Sequence, residues 1–528
     1  MPEGAHEPVV VVGAGMGGLA AAIRLAAAGF RVSVVEIGDT PGGKLRQVPA
    51  GDAAVAIDAG PTVLTMAWVF DDLLSLVGTR LEDEIALTRA TTLARHVWRG
   101  GESLDLFAEV AESRRAIADF AGRREAEGFS RFAADSARIY RLLKDTFIDA
   151  ERPDPLSLSA RIGLLRPASL LALRPFSTLW SALEGYFTDP RLRQLFGRYA
   201  TYCGASPFRA PATLMLVAHV EQAGVWIVEG GMSVLARRLA KIAADLGVTF
   251  HYGERVDAIM RDRSGRAVAG VRTDREHVLP ATGVIFNGDA AALAGLVGRP
   301  PPRPDAQPER SLSALVACGL VAPQGESLAH HTVHFSDDSR AEFEAIFRNG
   351  RAPADPTVYL CAPDRTAGGM RRDGGEVEAP ERLYALMNMP ADGDRRAYDE
   401  SEIERCLTTM EGRLAANGSA LRFDRSRTTV TAPDGFARLF PETGGALYGM
   451  ASHGWAASFR RPAARTALKG LYLAGGSIHP GPGVPMAALS GKIAAASLMA
   501  DHRSDGRSRP VAINGGMPMP SATAAPTR

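Results

Sequence analysis

Three glycines near the start of the chain are spaced in a way that suits phosphate binding. Gly13, Gly15 and Gly18 follow an apolar run at residues 9–12 and open an alanine-rich stretch. In a strand–turn–helix unit, the first glycine permits the tight turn, the second lets backbone approach a pyrophosphate, and the third lets helix and strand pack closely. The start of the helix then offers free N–H groups and the positive end of its dipole to the phosphates.

A carboxylate completes this pattern. Glu36 ends the strand-like segment 31–36, at the distance of about twenty residues where an acidic side chain accepts the ribose hydroxyls of a dinucleotide. Between the two, Leu19, Ile23 and Ala26 share one face of the expected helix. A glycine turn bracketed by two strands and an amphipathic helix predicts a dinucleotide-binding site.

A second glycine cluster follows directly, with Gly42 and Gly43 before Lys44 and Arg46. Such clusters usually mark turns, so one interpretation is an ordinary turn with solvated cations. The other is a loop that holds two cations beside the phosphates of a bound dinucleotide.

Composition narrows the classes of protein. The chain has 528 residues, enough for two or three domains, and its net charge of +1 gives no sign of nucleic-acid binding or of a polybasic membrane segment. Its four cysteines are scattered without C-x-x-C spacing, which argues against a zinc site or a disulfide framework and fits a reducing cytosol. The glycine turn and Arg24 argue against a signal peptide or a span at residues 9–30. We therefore expect a cytoplasmic protein, soluble or peripheral to a membrane.

The elements that position the site are expected in alternating blocks. The pattern predicts dinucleotide-binding segments at residues 1–109, 224–299 and 470–501, a helical cap at 110–223, a mostly β substrate domain at 300–469, and a disordered tail at 502–528. Within the cap, residues 162–176 mix apolar side chains with arginines and prolines. This segment is either a membrane-interface contact or a buried helical hairpin.

Several motifs together resemble the carotenoid desaturase branch of the flavin-dependent amine oxidase superfamily, over residues 9–501. They are the N-terminal glycine pattern, residues 58–62, residues 199–207, residues 224–226, residues 330–333 and, most specifically, residues 473–485. Ser477 and Ile478 stand where the family usually has Gly-Thr. The resemblance implies an α/β fold, with a Rossmann-like FAD-binding domain, a mixed β substrate domain and a helical, membrane-contacting cap.

Residues 224–232 and 381–394 are most similar to the 1-hydroxycarotenoid 3,4-desaturases, which act on acyclic carotenoids bearing a tertiary hydroxyl group. The resemblance implies FAD as cofactor, a long apolar carotenoid as substrate and contact with the inner membrane. A helix from Met486 to about Ala500, with Pro485 in its first turn, would direct its positive end at the flavin. The residues expected to bind FAD in addition to the first three glycines and Glu36 are Gly43, Lys44, Arg46, Thr62, Val256, Gly475, Gly476, Val484, Pro485 and Met486.

The sequence gives weaker signals for the residue that accepts the proton and for the final electron acceptor. His479 is the titratable group of the C-terminal glycine loop and is the candidate proton acceptor. His330, His331 and His334 lie on a strand-like segment, with 331 on the other face from 330 and 334, and we expect no metal there. Because no second dinucleotide pattern is present, oxygen or a quinone is the expected electron acceptor.

Four other activities compete with a 3,4-desaturase. A phytoene desaturase is separated from it only by assay, and a carotene isomerase shares the fold but catalyses no net oxidation. A non-catalytic isoprenoid-binding protein is disfavoured by the intact glycine pattern and Glu36. An amine oxidase is disfavoured because no aromatic cage for a cationic substrate is evident near the C-terminal glycines.

Overall fold

The apolar runs of the sequence form twenty strands in the computed structural model, which describes residues 8–50, 55–163, 172–298, 308–322, 328–367, 369–370 and 380–507. In chain order the strands are β1 Pro8–Val12, β2 Arg31–Glu36, β3 Gln47–Pro49, β4 Ala56–Asp58, β5 Leu64–Thr65, β6 Leu87–Arg89, β7 Thr92–Val97, β8 Ser103–Phe107, β9 Val225–Val228, β10 Thr249–Tyr252, β11 Val256–Arg261, β12 Val268–Thr273, β13 Val278–Pro280, β14 Gly283–Phe286, β15 Ser313–Val321, β16 His331–His334, β17 Val358–Cys361, β18 Glu381–Met389, β19 Thr428–Thr431 and β20 Leu471–Leu473.

The α-helices lie between and outside the sheets. In the described residues they are α1 Met16–Ala27, α2 Trp68–Leu74, α3 Leu81–Glu84, α4 Val110–Ala121, α5 Arg123–Leu143, α6 Pro155–Ile162, α7 Leu179–Glu184, α8 Pro190–Gly197, α9 Leu216–Ala223, α10 Ser233–Asp245, α11 Leu293–Leu296, α12 Ser339–Phe347, α13 Glu400–Ala416, α14 Pro433–Leu439, α15 Ala457–Arg460 and α16 Val484–Arg507. Residues 110–223, for which a helical cap was expected, contain α4–α9.

A five-stranded parallel sheet carries the N-terminal glycine turn. Its order is β10–β2–β1–β14–β20, so strands from three distant parts of the chain meet there. Alternate valines of β1 enter two different apolar cores, one shared with α1 and α16 and one shared with β11 and β12. This burial on both faces explains why β1 reads as an uninterrupted apolar run.

A seven-stranded mixed sheet forms the other half of the molecule, in the order β19–β15–β18–β17–β16–β7–β8. β7 and β8 lie within residues 1–109, which the sequence assigned to the dinucleotide-binding part, and this assignment is wrong for them. β7 pairs in parallel with β16, more than 200 residues later, and no local pattern reports such a pairing. Residues 300–469 are also less purely β than expected, because α13 packs its Leu407, Met410 and Leu414 on one face of this sheet.

Three further predictions concern the cap and the C-terminus. The segment at 162–176 lies partly outside the described residues, since residues 164–171 are not among them. The C-terminal helix begins at Val484, two residues earlier than predicted, and continues to Arg507 instead of ending near Ala500, so residues 502–507 are not a disordered tail. No described helix is long and apolar enough to cross a membrane.

Candidate active site

One cavity of about 980 Å³ lies between the two large sheets, near the upper end of the roughly 300–1,000 Å³ typical of ligand sites. Most of the residues predicted to bind the cofactor line it, although they come from five separate parts of the chain. They are Gly13, Gly15, Glu36, Gly43, Lys44, Arg46, Thr62, Val256, Gly475, Gly476, Val484, Pro485 and Met486. Gly18 and His479 are not in the lining.

The first glycine turn has the geometry that a phosphate site requires. Gly13 has a positive φ of 98°, which favours glycine. A Cβ atom on Gly18 would lie 2.1 Å from the carbonyl oxygen of Gly13, so Gly18 allows α1 to pack on the turn and has no need to touch the ligand. α1 has neither a side-chain N-cap nor an acidic residue in its first turn. Its N–H groups are therefore available to an anion.

Glu36 is fixed at the end of β2 by the turn that it faces. Its Oε2 accepts a hydrogen bond from the Ala14 N–H at 2.6 Å, and its Oε1 accepts one from the Gly38 N–H at 2.9 Å. The side chain is 7% exposed, and burial raises its pKa against the opposing effect of these two hydrogen bonds. The carboxylate is thus held in place with lone pairs left for the hydroxyls of a ribose.

The second glycine loop packs against the first, through a β-bridge between Gly15 and Gly42. Its two cations reach away from the turn. Lys44 Nζ donates to the carbonyl oxygen of Leu447, and Arg46 Nη2 donates to Thr431 Oγ1 at 2.9 Å. Burial lowers the pKa of both side chains. Both cations line the cavity, but their charged ends join the loop to the substrate half of the molecule.

The C-terminal glycines sit beside the start of α16. The Gly475 N–H donates to Ser490 Oγ at 2.7 Å, which fixes the turn on the helix that follows it. Pro485 stands in the first turn of α16, where its missing N–H leaves no gap in the hydrogen bonding. The first turn carries no acidic residue, so its positive end faces the cavity without a competing charge.

His479 lies behind the cavity wall. Its ring is 4.8 Å from that of Phe147, which does line the cavity, and its Nε2 is 2.8 Å from the carbonyl oxygen of Ala150. Because a carbonyl only accepts, Nε2 carries the proton. Burial lowers the pKa of His479 to about 4. The structure does not bring this imidazole to the cavity, and its role in proton transfer stays a prediction.

The face of the seven-stranded sheet that looks into the cavity was not identified from the sequence. Alternate residues of three adjacent strands line the cavity, while their neighbours enter the core on the other side. The signal was the alternation in β18, where Tyr384, Leu386 and Asn388 interleave with Leu383, Ala385 and Met387. The cavity-lining residues of this face are Val316, Tyr359, Tyr384, Leu386 and Asn388.

The sequence analysis also did not identify a charged cluster on the helical side of the cavity. Arg198 lines the cavity 5.3 Å from the ring of Tyr202, and Glu221 accepts hydrogen bonds from the hydroxyls of Tyr199 and Tyr202. Although burial opposes its charge, the negative potential of this cluster raises the pKa of Arg198. Such a guanidinium stays charged inside an otherwise mainly apolar cavity.

Two of the histidines at which no metal was expected, His330 and His331, make hydrogen-bond contacts within the protein. His330, His331 and Cys361 place one ligand atom each within 4.8 Å of one another. His330 Nδ1 is, however, 2.8 Å from the carbonyl oxygen of Arg365, and His331 Nδ1 is 2.8 Å from the hydroxyl of Tyr359. The thiol that joins this group comes from a different strand, so sequence spacing gave no sign of it.

The residues on the cofactor side fit FAD. An uncapped helix N-terminus and glycine backbone suit its pyrophosphate, Glu36 suits a ribose, and a second helix N-terminus suits an electron-rich ring. The opposite wall, of tyrosines and aliphatic side chains, suits a flat or extended apolar molecule.

Comparisons with known proteins agree with this description. The flavin containing amine oxidoreductase family matches residues 16–499. The chain is 49% identical to hydroxyneurosporene desaturase of Rubrivivax gelatinosus, covering 98% of this chain and 97% of that protein. It is 47% identical to the protein of the same name from Cereibacter sphaeroides, covering 94% and 99%. An oxidoreductase structure from Methanosarcina mazei, 17% identical, superposes with a TM-score of 0.57 over 93% of this chain and all of that one.

Proposed function

Because the chain belongs to the flavin containing amine oxidoreductases, and within them to the carotenoid desaturases, we propose that it introduces the C-3,4 double bond into acyclic 1-hydroxycarotenoids. The observation that carries the proposal is a cavity walled on one side by the dinucleotide-binding residues and on the other by an aromatic and aliphatic sheet face. Such a cavity lets a long apolar molecule lie beside the cofactor. The names of the two desaturase relatives support the substrate class.

The reaction removes one hydrogen from each of two adjacent carbons, as a hydride and a proton, and leaves a C=C bond. When bound, FAD would supply the two-electron oxidant, with N5 as the hydride acceptor and oxygen or a quinone as the proposed final electron acceptor. The protein positions the reactants. Glu36 and the first turn of α1 hold the dinucleotide, while Leu386 and Tyr384 shape the apolar wall that excludes water from the reacting carbons.

A membrane surface is the proposed source of the substrate, at the cytoplasmic side of the inner membrane. Phe176 and Trp455 are 85% and 51% exposed, with ring centroids 6.1 Å apart, and Leu156 is 81% exposed. Exposed aromatic side chains of this kind insert at a lipid interface. The neighbouring Arg174 donates to the hydroxyl of Tyr186 at 3.0 Å and so is partly engaged within the cap.

Vesicle binding tests this contact. The double variant F176E/W455E is expected to lower co-sedimentation with liposomes of mixed neutral and anionic lipid about tenfold or more, since each substitution puts a charge where an exposed aromatic ring would insert into lipid. Val278, 54% exposed in β13, provides the matched control, and V278E is expected to bind as the wild type does. Equal binding of all three proteins would contradict the proposed surface.

The reaction itself is tested by an anaerobic half-reaction in liposomes, with 1-hydroxyneurosporene and, separately, phytoene. We expect bleaching of the oxidised flavin band with the hydroxylated carotenoid alone, together with a red-shifted polyene product. Bleaching with phytoene would instead indicate a phytoene desaturase. Bleaching with neither would favour a carotene isomerase or a carrier of isoprenoids.

A further inference from the structure

A short chain of hydrogen bonds joins the cofactor side of the cavity to the substrate sheet. Thr62 Oγ1 is 2.6 Å from Tyr359 Oη, and Tyr359 Oη is 2.8 Å from His331 Nδ1. Thr62 and Tyr359 both line the cavity, while His331 is 4% exposed. Tyr359 stands on β17, in the middle of the seven-stranded sheet, so the chain is anchored on a rigid element.

The Tyr359 hydroxyl joins the other two groups of this chain. Burial, with the nearby His330 and Arg198, lowers the pKa of His331 well below its ordinary value, so its ring is neutral and one of its nitrogens accepts. Tyr359 uses its hydroxyl on both sides, toward His331 and toward Thr62. Within the described residues, the Thr62 hydroxyl has no second partner. Thr62 is therefore the end of the chain, with hydrogen-bonding capacity left for a ligand.

The position of Thr62 matters because its segment packs against the second glycine loop. The Ala59 N–H donates to the Arg46 carbonyl oxygen at 2.8 Å, and a Cβ atom on Gly60 would lie 1.8 Å from the Lys44 carbonyl oxygen. The Thr62 segment thus packs directly on the loop that lines the cofactor side. In a 1-hydroxycarotenoid, a single carbon separates the hydroxyl-bearing C-1 from C-3. A group that binds this hydroxyl has to stand near the reacting bond, and Thr62 lines the cavity where the cofactor side meets the substrate sheet.

We propose that Thr62, oriented by Tyr359 and His331, binds the C-1 hydroxyl of the substrate and makes the enzyme selective for hydroxylated carotenoids. The inference rests on the proposed function and names the group that gives it specificity. Without a hydroxylated ligand, the remaining hydrogen-bonding capacity of Thr62 Oγ1 faces apolar carbon, and a site built around a buried hydrogen bond discriminates strongly for that reason.

A second polar cluster in the cavity is less suited to this task. Glu342 accepts hydrogen bonds from the N–H and Oγ1 of Thr357, at 3.1 and 2.7 Å, and from Ser336 Oγ at 3.0 Å. Its carboxyl group is thereby satisfied by the protein itself. Thr62 differs because its hydroxyl keeps capacity toward the cavity.

The test compares the rate of anaerobic flavin reduction in liposomes for 1-hydroxyneurosporene and for 1,2-dihydroneurosporene, which has the same saturated C-1–C-2 end without the hydroxyl group. In T62V and Y359F the ratio of the rate with the hydroxylated carotenoid to the rate with the hydrocarbon is expected to fall about 10- to 100-fold. The flavin-to-protein absorbance ratio is measured in parallel, because a loss of flavin in T62V would mean that Thr62 binds the cofactor and not the substrate hydroxyl. T332V is the matched control, because Thr332 is buried on the opposite face of the strand that carries His331, and it is expected to keep the wild-type preference.

The outcomes separate the inference from the proposed function. A loss of preference in T62V and Y359F, but not in T332V, supports hydroxyl binding by Thr62. An unchanged preference in both variants, or an equal loss with both carotenoids, overturns it. If the wild-type holoenzyme is reduced by neither carotenoid, the proposed function fails and the inference fails with it.

Discussion

The two large sheets present their functional residues in opposite ways. The parallel sheet uses its ends, where Gly13 and Glu36 follow β1 and close β2, and Gly475 follows β20. The mixed sheet uses a face, from which Tyr359, Tyr384 and other alternate side chains enter the same cavity. The parallel sheet therefore presents backbone groups and turn residues to the cavity. The mixed sheet presents side chains from the middle of its strands, where no turn motif marks them in the sequence.

The two sheets therefore differ in how strongly their function constrains the sequence. A turn at the end of a parallel strand needs particular residues at fixed spacing, because only glycine permits the φ of Gly13 and the close approach at Gly18. A sheet face requires only that alternate residues have suitable size and polarity. The cofactor side is therefore expected to tolerate substitution poorly, and the substrate side to change activity while leaving the cofactor bound.

The largest effect is expected at Gly18. In G18A the new methyl group would lie 2.1 Å from the Gly13 carbonyl oxygen, so α1 must move away from the glycine turn, at a cost of about 1–3 kcal/mol or more. We expect a lower melting temperature and a loss of most of the flavin in the purified protein. Differential scanning calorimetry and the flavin-to-protein absorbance ratio measure the two effects.

Gly412 is the matched control, since it is also inside a helix, α13, and a Cβ atom added to it would have no neighbouring atom within 4 Å. G412A is expected to keep its flavin and to gain up to about 1 kcal/mol from helix propensity. If G18A kept wild-type flavin and stability, the proposed packing role of Gly18 would be refuted.

A smaller and more selective effect is expected on the substrate face. Leu386 is half-buried and lines the cavity, so L386W would fill space beside the reacting carbons. We expect turnover to fall about 100-fold, as for other substrates displaced by about 1 Å, with flavin content unchanged. L386M, which conserves volume, is the control. Loss of flavin in L386W would contradict the idea that the mixed sheet can be altered without affecting cofactor binding by the parallel sheet.

The sequence was most informative where function depends on local backbone. The glycine pattern and Glu36 predicted the first strand–turn–helix unit of the parallel sheet, because those constraints act within one such unit. The other cofactor-side residues were implied by the resemblance to the carotenoid desaturases. The seven-stranded sheet was predicted only in part. β7 and β8 join it through a pairing with β16, and the meeting of Thr62 with Tyr359 depends on that global arrangement. No spacing along the chain encodes a contact between residues 297 positions apart.

In the C-terminal glycine loop, the residue that the sequence indicated for proton transfer does not line the cavity. Its histidine was the obvious titratable group by sequence, yet His479 lies behind Phe147 with Nε2 directed to Ala150. A buried imidazole that donates to a carbonyl can hold the turn beside the cofactor without taking a proton. The variant H479Q separates these roles, because a glutamine amide can still donate to the Ala150 carbonyl.

The smallest expected effect is on the pH dependence of the free energy of unfolding, which can be measured without a substrate assay. The pKa of His479 is about 4 in the folded protein, against about 6.5 when unfolded. Between these values the unfolded chain binds a proton that the folded chain does not, so the free energy of unfolding falls as pH decreases from 6.5 to 4, by up to about 3 kcal/mol. In H479Q this loss is expected to be smaller, as measured by urea unfolding at pH 7 and pH 4.5. If H479Q keeps turnover at pH 7 while losing this pH dependence, His479 positions the loop; if turnover falls at least tenfold with flavin retained, it takes part in proton transfer.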